Sequence, residues 1–391
     1  MYSLLLAIIY IAFISLGLPD SLIGSAWPVM HLELKVPVSF AGIITMIIAC
    51  GTIISSLMSD RLTKRFGAGA VTSVSVLMTA LALWGFSISS KFWMLIAFAV
   101  PYGLGAGGVD AALNNYVALH YKARHMSWLH CFWGIGASIS PYIMGYSLTT
   151  KFSWSGGFRI VSVIQMVLTA ALFLTLPVWK VNKQSKANDA SINKPKSLAE
   201  IFKIKGLPLV LIAFFCYCAA ESTAMLWSST YLVKFRKMNE QTAAMLASLF
   251  FLGITFGRFV SGFVSEKVGD KNMIRGGIFT IFIGTALIAI PDKHNICSMV
   301  GLVIAGLGCA PIYPSIIHST PQNFGADNSQ AVIGVQMAAA YTASTFMPPL
   351  FGALVQFGLI GFFPLYLIFF TLLLFIMTEL LNKRALDNQG A

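Results

Sequence analysis

Three carboxylic acids, Asp20, Asp110 and Glu221, stand inside runs of apolar residues long enough to cross a bilayer. A charged carboxylate at membrane depth costs about 3 kcal/mol or more unless a proton or a partner neutralises it, so such positions mark ion paths and proton relays. Asp110 is followed four residues later by Asn114, a spacing that puts a carboxylate and an amide on one helix face. The pair either meets a polar ligand or buries a protonated acid, and the two roles are compatible. Asn115 adjoins it. His130, in Ser127-Trp-Leu-His-Cys-Phe-Trp133, lies near the end of its own apolar run, where a return towards Asp110 is possible. An imidazole beside a carboxylate titrates in a physiological range and relays protons; a lone histidine at a span end also serves as an interfacial hydrogen-bonder. The chemistry on offer is reversible protonation at Asp20, Asp110, His130 and Glu221.

Binding chemistry is suggested around these acids. Asp20 follows Gly17-Leu-Pro19, which should interrupt its helix and leave backbone carbonyls facing a cavity, unless Asp20 sits solvated near the outer interface. Trp133 and Trp227 are placed to stack on a sugar ring or to anchor helices. Asn114, Asn115, Gln336 and Tyr341 are further candidates for lining a polar cavity. Arg258, inside a span, either snorkels or neutralises an acid.

The elements that must hold these groups are membrane helices. The chain has 391 residues, 57% of them apolar and only 10% charged. Apolar stretches of about 20 residues, enough to cross the hydrocarbon at 1.5 Å per residue, recur at 2–30, 40–58, 70–89, 92–118, 127–148 and 158–178. They recur again at 208–233, 241–264, 274–290, 296–318, 329–357 and 362–381. Continuous apolarity favours helices over a barrel. The first run lacks a basic leader and a small-residue cleavage pattern and is expected to be a retained helix. With both termini in the cytoplasm, the inside loops hold seventeen of the 26 Lys and Arg, which is the positive-inside pattern. The formal charge of +12 is thereby explained without a nucleic-acid partner. The six cysteines show no zinc-type spacing, so neither a metal nor a disulfide framework is expected. No P-loop or nucleophile elbow is present, and an enzyme is not expected. No cofactor is implied.

The polar stretch 180–207 divides the spans six and six, giving expected bundles at 1–179 and 208–391 joined by a cytoplasmic linker. Internal similarity supports a duplication. Gly51-Thr-Ile-Ile-Ser-Ser-Leu-Met-Ser-Asp60-Arg61 aligns with Gly257-Arg-Phe-Val-Ser-Gly-Phe-Val-Ser-Glu266-Lys267, Gly103-Leu-Gly105 with Gly306-Leu-Gly308, Pro141 and Gly145 with Pro348 and Gly352, and Asp20-Ser21 with Glu221-Ser222. The expected loop Ser59-Asp60-Arg61-Leu-Thr-Lys64-Arg65-Phe-Gly67 resembles the G-x-x-x-D-R-x-G-R-R signature of the major facilitator superfamily. The resemblance implies two pseudo-symmetric six-helix bundles, twelve transmembrane helices, and a cytoplasmic gate at Asp60, Arg61, Arg65 and Glu266. The acid in the first span and the Asp110/Asn114 pair are similar to the fucose permease branch, which carries an acid in helix one and an acid followed four residues later by Asn in helix four. That likeness implies proton coupling at Asp20 and proton and sugar handling at Asp110 and Asn114. The chain departs from the branch in having Asp for Glu at 110, and His130 and Trp133 where amides are usual.

The expectation is therefore a secondary transporter of the cytoplasmic membrane, working as a monomer among lipid, with protons and a sugar or similar small polar solute as its partners. Two halves rocking about a polar cavity would give alternating access. The rival is a proton-coupled exporter of drugs or metabolites, suited by 17 Met and 30 Phe. A sensor would call for a signalling domain, which the stretches outside the spans are too short to hold.

Overall fold

Backbone groups in hydrocarbon find no water, so a chain this apolar satisfies them within helices. The computed structural model describes residues 2–179, 196–292 and 295–387; residues 180–195 of the expected linker, and Lys293, lie outside them. The helices are α1 Tyr2–Gly17, α2 Leu22–Glu33, α3 Ala41–Phe66, α4 Ala68–Ser87, α5 Phe92–His120, α6 Ala123–Leu148 and α7 Ser153–Leu174. There follow α8 Leu198–Phe202, α9 Leu207–Lys234, α10 Glu240–Val268, α11 Asp270–Ala289, α12 Ile296–Cys309, α13 Ile312–His318, α14 Thr320–Phe324, α15 Ala326–Gln356 and α16 Phe363–Asp387. The all-helical architecture expected from the apolar runs is the one the chain adopts.

Among the described residues, ten stretches are long and apolar enough to cross a membrane. α6 and α15 fall outside that count although they run 26 and 31 residues. They are the fifth and eleventh expected spans, and each carries internal proline and polar residues such as His130 and Gln336 that dilute its apolarity.

Two spans are broken. The first ends α1 at Gly17 and restarts as α2 at Leu22, with a turn closed by the Asp20 N–H on the Gly17 carbonyl at 3.2 Å. The tenth, expected to be continuous over 296–318, breaks between α12 and α13 at Ala310-Pro311; Pro311 has no N–H to continue the ladder. A second departure lies at the motif. The segment expected as a loop after residue 58 is helical to Phe66 and stops at Gly67, whose φ of 84° suits glycine. Lys64 and Arg65 sit in that last turn, where cations complement the helix dipole.

The chain clusters into two compact units, the first Met1–Tyr116 with Leu129–Ser197, the second Val117–Trp128 with Leu198–Ala391. In the first, Leu22, Trp27, Met30, Phe86, Leu95 and Phe158 share one apolar core. There α3 and α5 touch backbone to backbone, since a Cβ on Gly103 would collide with the Ile48 carbonyl oxygen. In the second, α10 and α12 meet in the same way at Gly306, against the Phe250 carbonyl. Small residues permit such approaches where lipid gives helices no hydrophobic reason to associate.

Candidate functional site

The break in the first span places Asp20, and a glycine crossing gives it a partner. A Cβ on Gly17 would strike the Trp133 carbonyl, and one on Gly136 the Ile14 carbonyl, so α1 and α6 cross in backbone contact. That crossing brings Trp133 to Asp20, and the indole N–H donates to Asp20 Oδ2 at 2.9 Å. The Tyr102 hydroxyl on α5 lies close to the same carboxylate. Asp20 keeps an exposed side chain. The charge of Asp110 is near enough to act on it.

Asp110 is buried on α5. Asn114 Nδ2 donates to Asp110 Oδ1 at 2.8 Å and to the Asp110 carbonyl at 3.0 Å. His130 Nε2 lies 3.1 Å from Asn114 Oδ1, which makes the ring nitrogen the donor when the amide oxygen accepts. Phe13 packs edge-on against the imidazole, 5.5 Å between centroids. The sequence led us to expect Asp110 and His130 near one another; Asn114 links them, donating to the carboxylate and meeting the imidazole with its oxygen. Asn115 is buried beside them.

In the second unit Glu221 is held. Tyr217 donates its hydroxyl to Glu221 Oε1 at 2.7 Å, with the Cys309 carbonyl 3.0 Å away, and Arg258 forms an ion pair with the same carboxylate at 3.3 Å. Arg258 and Glu221 expose 6% and 12% of their side chains, so of the two roles open to Arg258, neutralising an acid is the one it takes. A proton carried by Glu221 would have to release that arginine. Trp227 donates to the Pro348 carbonyl at 2.9 Å and packs on Phe351. Gln336 is wholly buried with its carbonyl accepting from Thr320 at 3.1 Å, and Tyr341 is half-buried.

At the motif Asp60 is buried and paired with Lys64 at 3.0 Å, one turn along the same helix; its Oδ2 also accepts the Lys196 backbone N–H at 3.2 Å. Arg61 and Arg65 are exposed, Arg65 lying over Phe66. Glu266 takes Arg124 at 3.0 Å and Lys122 at 3.3 Å. His125, next in the chain, accepts from Arg124 at its Nε2. Burial first, then the Arg124 charge, hold its pKa below the ordinary value.

Sequence reasoning passed over Tyr102 and Tyr217. Tyr217 stands four residues before Glu221 and Tyr102 eight before Asp110, so helical periodicity places each phenol on its acid-bearing face.

Residues 9–290 and 210–388 match the family model described as Major Facilitator Superfamily. Bypass of stop codon protein 6 of Saccharomyces cerevisiae is 24% identical over 394 residues, covering 91% of this chain and 78% of the yeast protein. The glucose/mannose transporter GlcP of Bacillus subtilis is 21% identical, covering 78% and 77%. The class B tetracycline resistance protein of Escherichia coli is 22% identical, covering 69% and 68%. Among solved structures, the E. coli fucose:proton symporter FucP aligns with a TM-score of 0.76 at 16% identity, over 97% of this chain and 99% of that one. Identity that low carries the fold.

Proposed function

Since the chain belongs to the Major Facilitator Superfamily and is a transporter rather than an enzyme, we propose that it couples proton entry to symport of a small uncharged polar solute of the sugar class. The observation that carries this reading is the cluster in the first unit, an accessible Asp20 under Trp133 and a buried Asp110 wired through Asn114 to His130. Protonation removes the charge that makes a carboxylate costly at membrane depth, so loading Asp20 and Asp110 permits the occluded state of an alternating-access cycle. The Trp133 indole and the Asn114 and Asn115 amides offer a stacking face and hydrogen bonds to a polyol. An uncharged solute is favoured because the buried Arg258 is held by Glu221 and so is not offered to an anion. In this reading bundles at 1–179 and 208–391 flank a cytoplasmic linker at 180–207, both termini are cytoplasmic, and the chain works as a monomer in the cytoplasmic membrane. Asp60, Arg61, Arg65 and Glu266 belong to its cytoplasmic gate.

The rival, a proton-coupled exporter, draws on the likeness to a tetracycline resistance protein. A thermal-shift screen of the purified chain separates the two, since a ligand that binds the folded state raises its melting temperature by mass action. Hexoses should shift it and lipophilic cations should not. The mechanism is tested by Asp20→Asn and Asp110→Asn in proteoliposomes. Each should cut gradient-driven uptake by about tenfold or more, the equivalent of one lost charge-dependent step, while counterflow exchange survives. Unchanged uptake in both variants defeats the reading.

A further inference from the structure

His318, the last residue of α13, has both ring nitrogens engaged. Nδ1 lies 2.7 Å from Asp270 Oδ2 on α11, and Nε2 lies 3.3 Å from the Tyr121 carbonyl oxygen in the connector between α5 and α6. All three residues belong to the second unit. Both partners are acceptors without a hydrogen to give. A neutral imidazole has one N–H and one lone pair, so it satisfies one of them and turns a lone pair on the other; the imidazolium donates to both. We propose that His318 is a proton-operated clamp, closed when the ring is charged and bridging Asp270 to Tyr121, and released from Tyr121 when the ring is neutral.

The surroundings leave that role to His318. On the elements packed around it the titratable and charged groups are Asp270, Lys271 and Arg275 on α11, Glu266 and Lys267 at the end of α10, Glu379, Lys383 and Arg384 on α16, His120 at the end of α5, Lys122 on the connector, and Arg124 and His125 at the start of α6. Arg275 is taken by Glu379 at 2.5 Å, and Glu266 by Lys122 and Arg124. Asp270 is the charged group that acts on the imidazole. The His318 side chain is 14% exposed and that of Asp270 10%, so water competes poorly for either bond.

The connector joins the ends of α5 and α6, the helices that bear Asp110, Asn114, His130 and Trp133. A clamp on Tyr121 therefore fixes the ends of both, and its release in alkali loosens them. This device is separate from the proposed coupling acids, and its test needs no transported solute. Hydrogen–deuterium exchange on the full-length protein in nanodiscs, at about pH 6 and about pH 9 to bracket an imidazole, reads the amides of 117–128 after correction for intrinsic rates. In the native chain exchange there should rise by about tenfold or more with pH, as expected for loss of a charge-assisted bond. His318→Gln, whose single amide nitrogen turned to the carboxylate leaves only the amide oxygen facing the Tyr121 carbonyl, should exchange fast at both values. His318→Arg, which donates at any pH, should stay protected at both and carries the test alone if the glutamine variant does not fold. A native chain without the pH step, or a variant that keeps it, overturns the clamp.

Discussion

Glu221 and Arg258 sit where a charge is dear, and the two readings of that pair differ in what removal does. If the ion pair is chiefly structural, Glu221→Gln strands a buried guanidinium and lowers stability by about 3–5 kcal/mol, while Glu221→Gln with Arg258→Met recovers most of the loss. Thermal unfolding followed by size-exclusion chromatography measures both. A proton carrier would instead leave the single variant stable and uncoupled. Trp133 offers a second contrast, because Trp133→Phe keeps a ring and deletes the N–H that holds Asp20. The apparent affinity for solute should change by less than about tenfold, because the N–H serves Asp20, while the pH optimum of uptake moves; a fixed optimum would argue that the indole only packs. The acids and the Asp110–Asn114 pair were legible because residue type and i,i+4 spacing are both one-dimensional. The bridge from Asn114 to His130 was not, since it depends on how α5 and α6 lie side by side.

At the scale of elements, the site rests on a crossing of two helices at glycine. Gly136→Val places methyls against the Ile14 backbone, which has no flexible end to yield, so α1 and α6 must part and Trp133 must leave Asp20. The cost should be about 1–3 kcal/mol, the usual penalty for overpacking, with uptake falling as in the Asp20 variant. At Gly145 on the same helix an added Cβ meets nothing within 4 Å, and Gly145→Val should be neutral. Equal effects from the two would show that helix propensity, not the crossing, is responsible. Helix existence and the break at Gly17-Leu-Pro19 could be read from apolar runs and proline. The break at Pro311 and the helical continuation of α3 to Phe66 could not, because proline is tolerated in membrane helices and charged residues after an apolar run look like a loop. Asp60 was read as part of a cytoplasmic gate; its carboxylate pairs with Lys64 one turn along the helix and accepts the Lys196 backbone N–H.

At the scale of the whole molecule, the repeat has left unequal halves of chemistry. The first unit carries an accessible acid and a buried acid wired to a histidine, whereas the second neutralises its matching acid with Arg258. A symporter needs one path for protons and one cation-free surface for an uncharged solute, and this division is consistent with both. The most direct measurement is the pH of a lightly buffered medium around proteoliposomes when solute is added outside with no imposed gradient. A hexose entering with protons should make the medium more alkaline, the signal should vanish with a protonophore, and Asp20→Asn should abolish it. A silent electrode during demonstrable hexose entry, or a signal evoked by lipophilic cations and not by hexoses, would contradict the account.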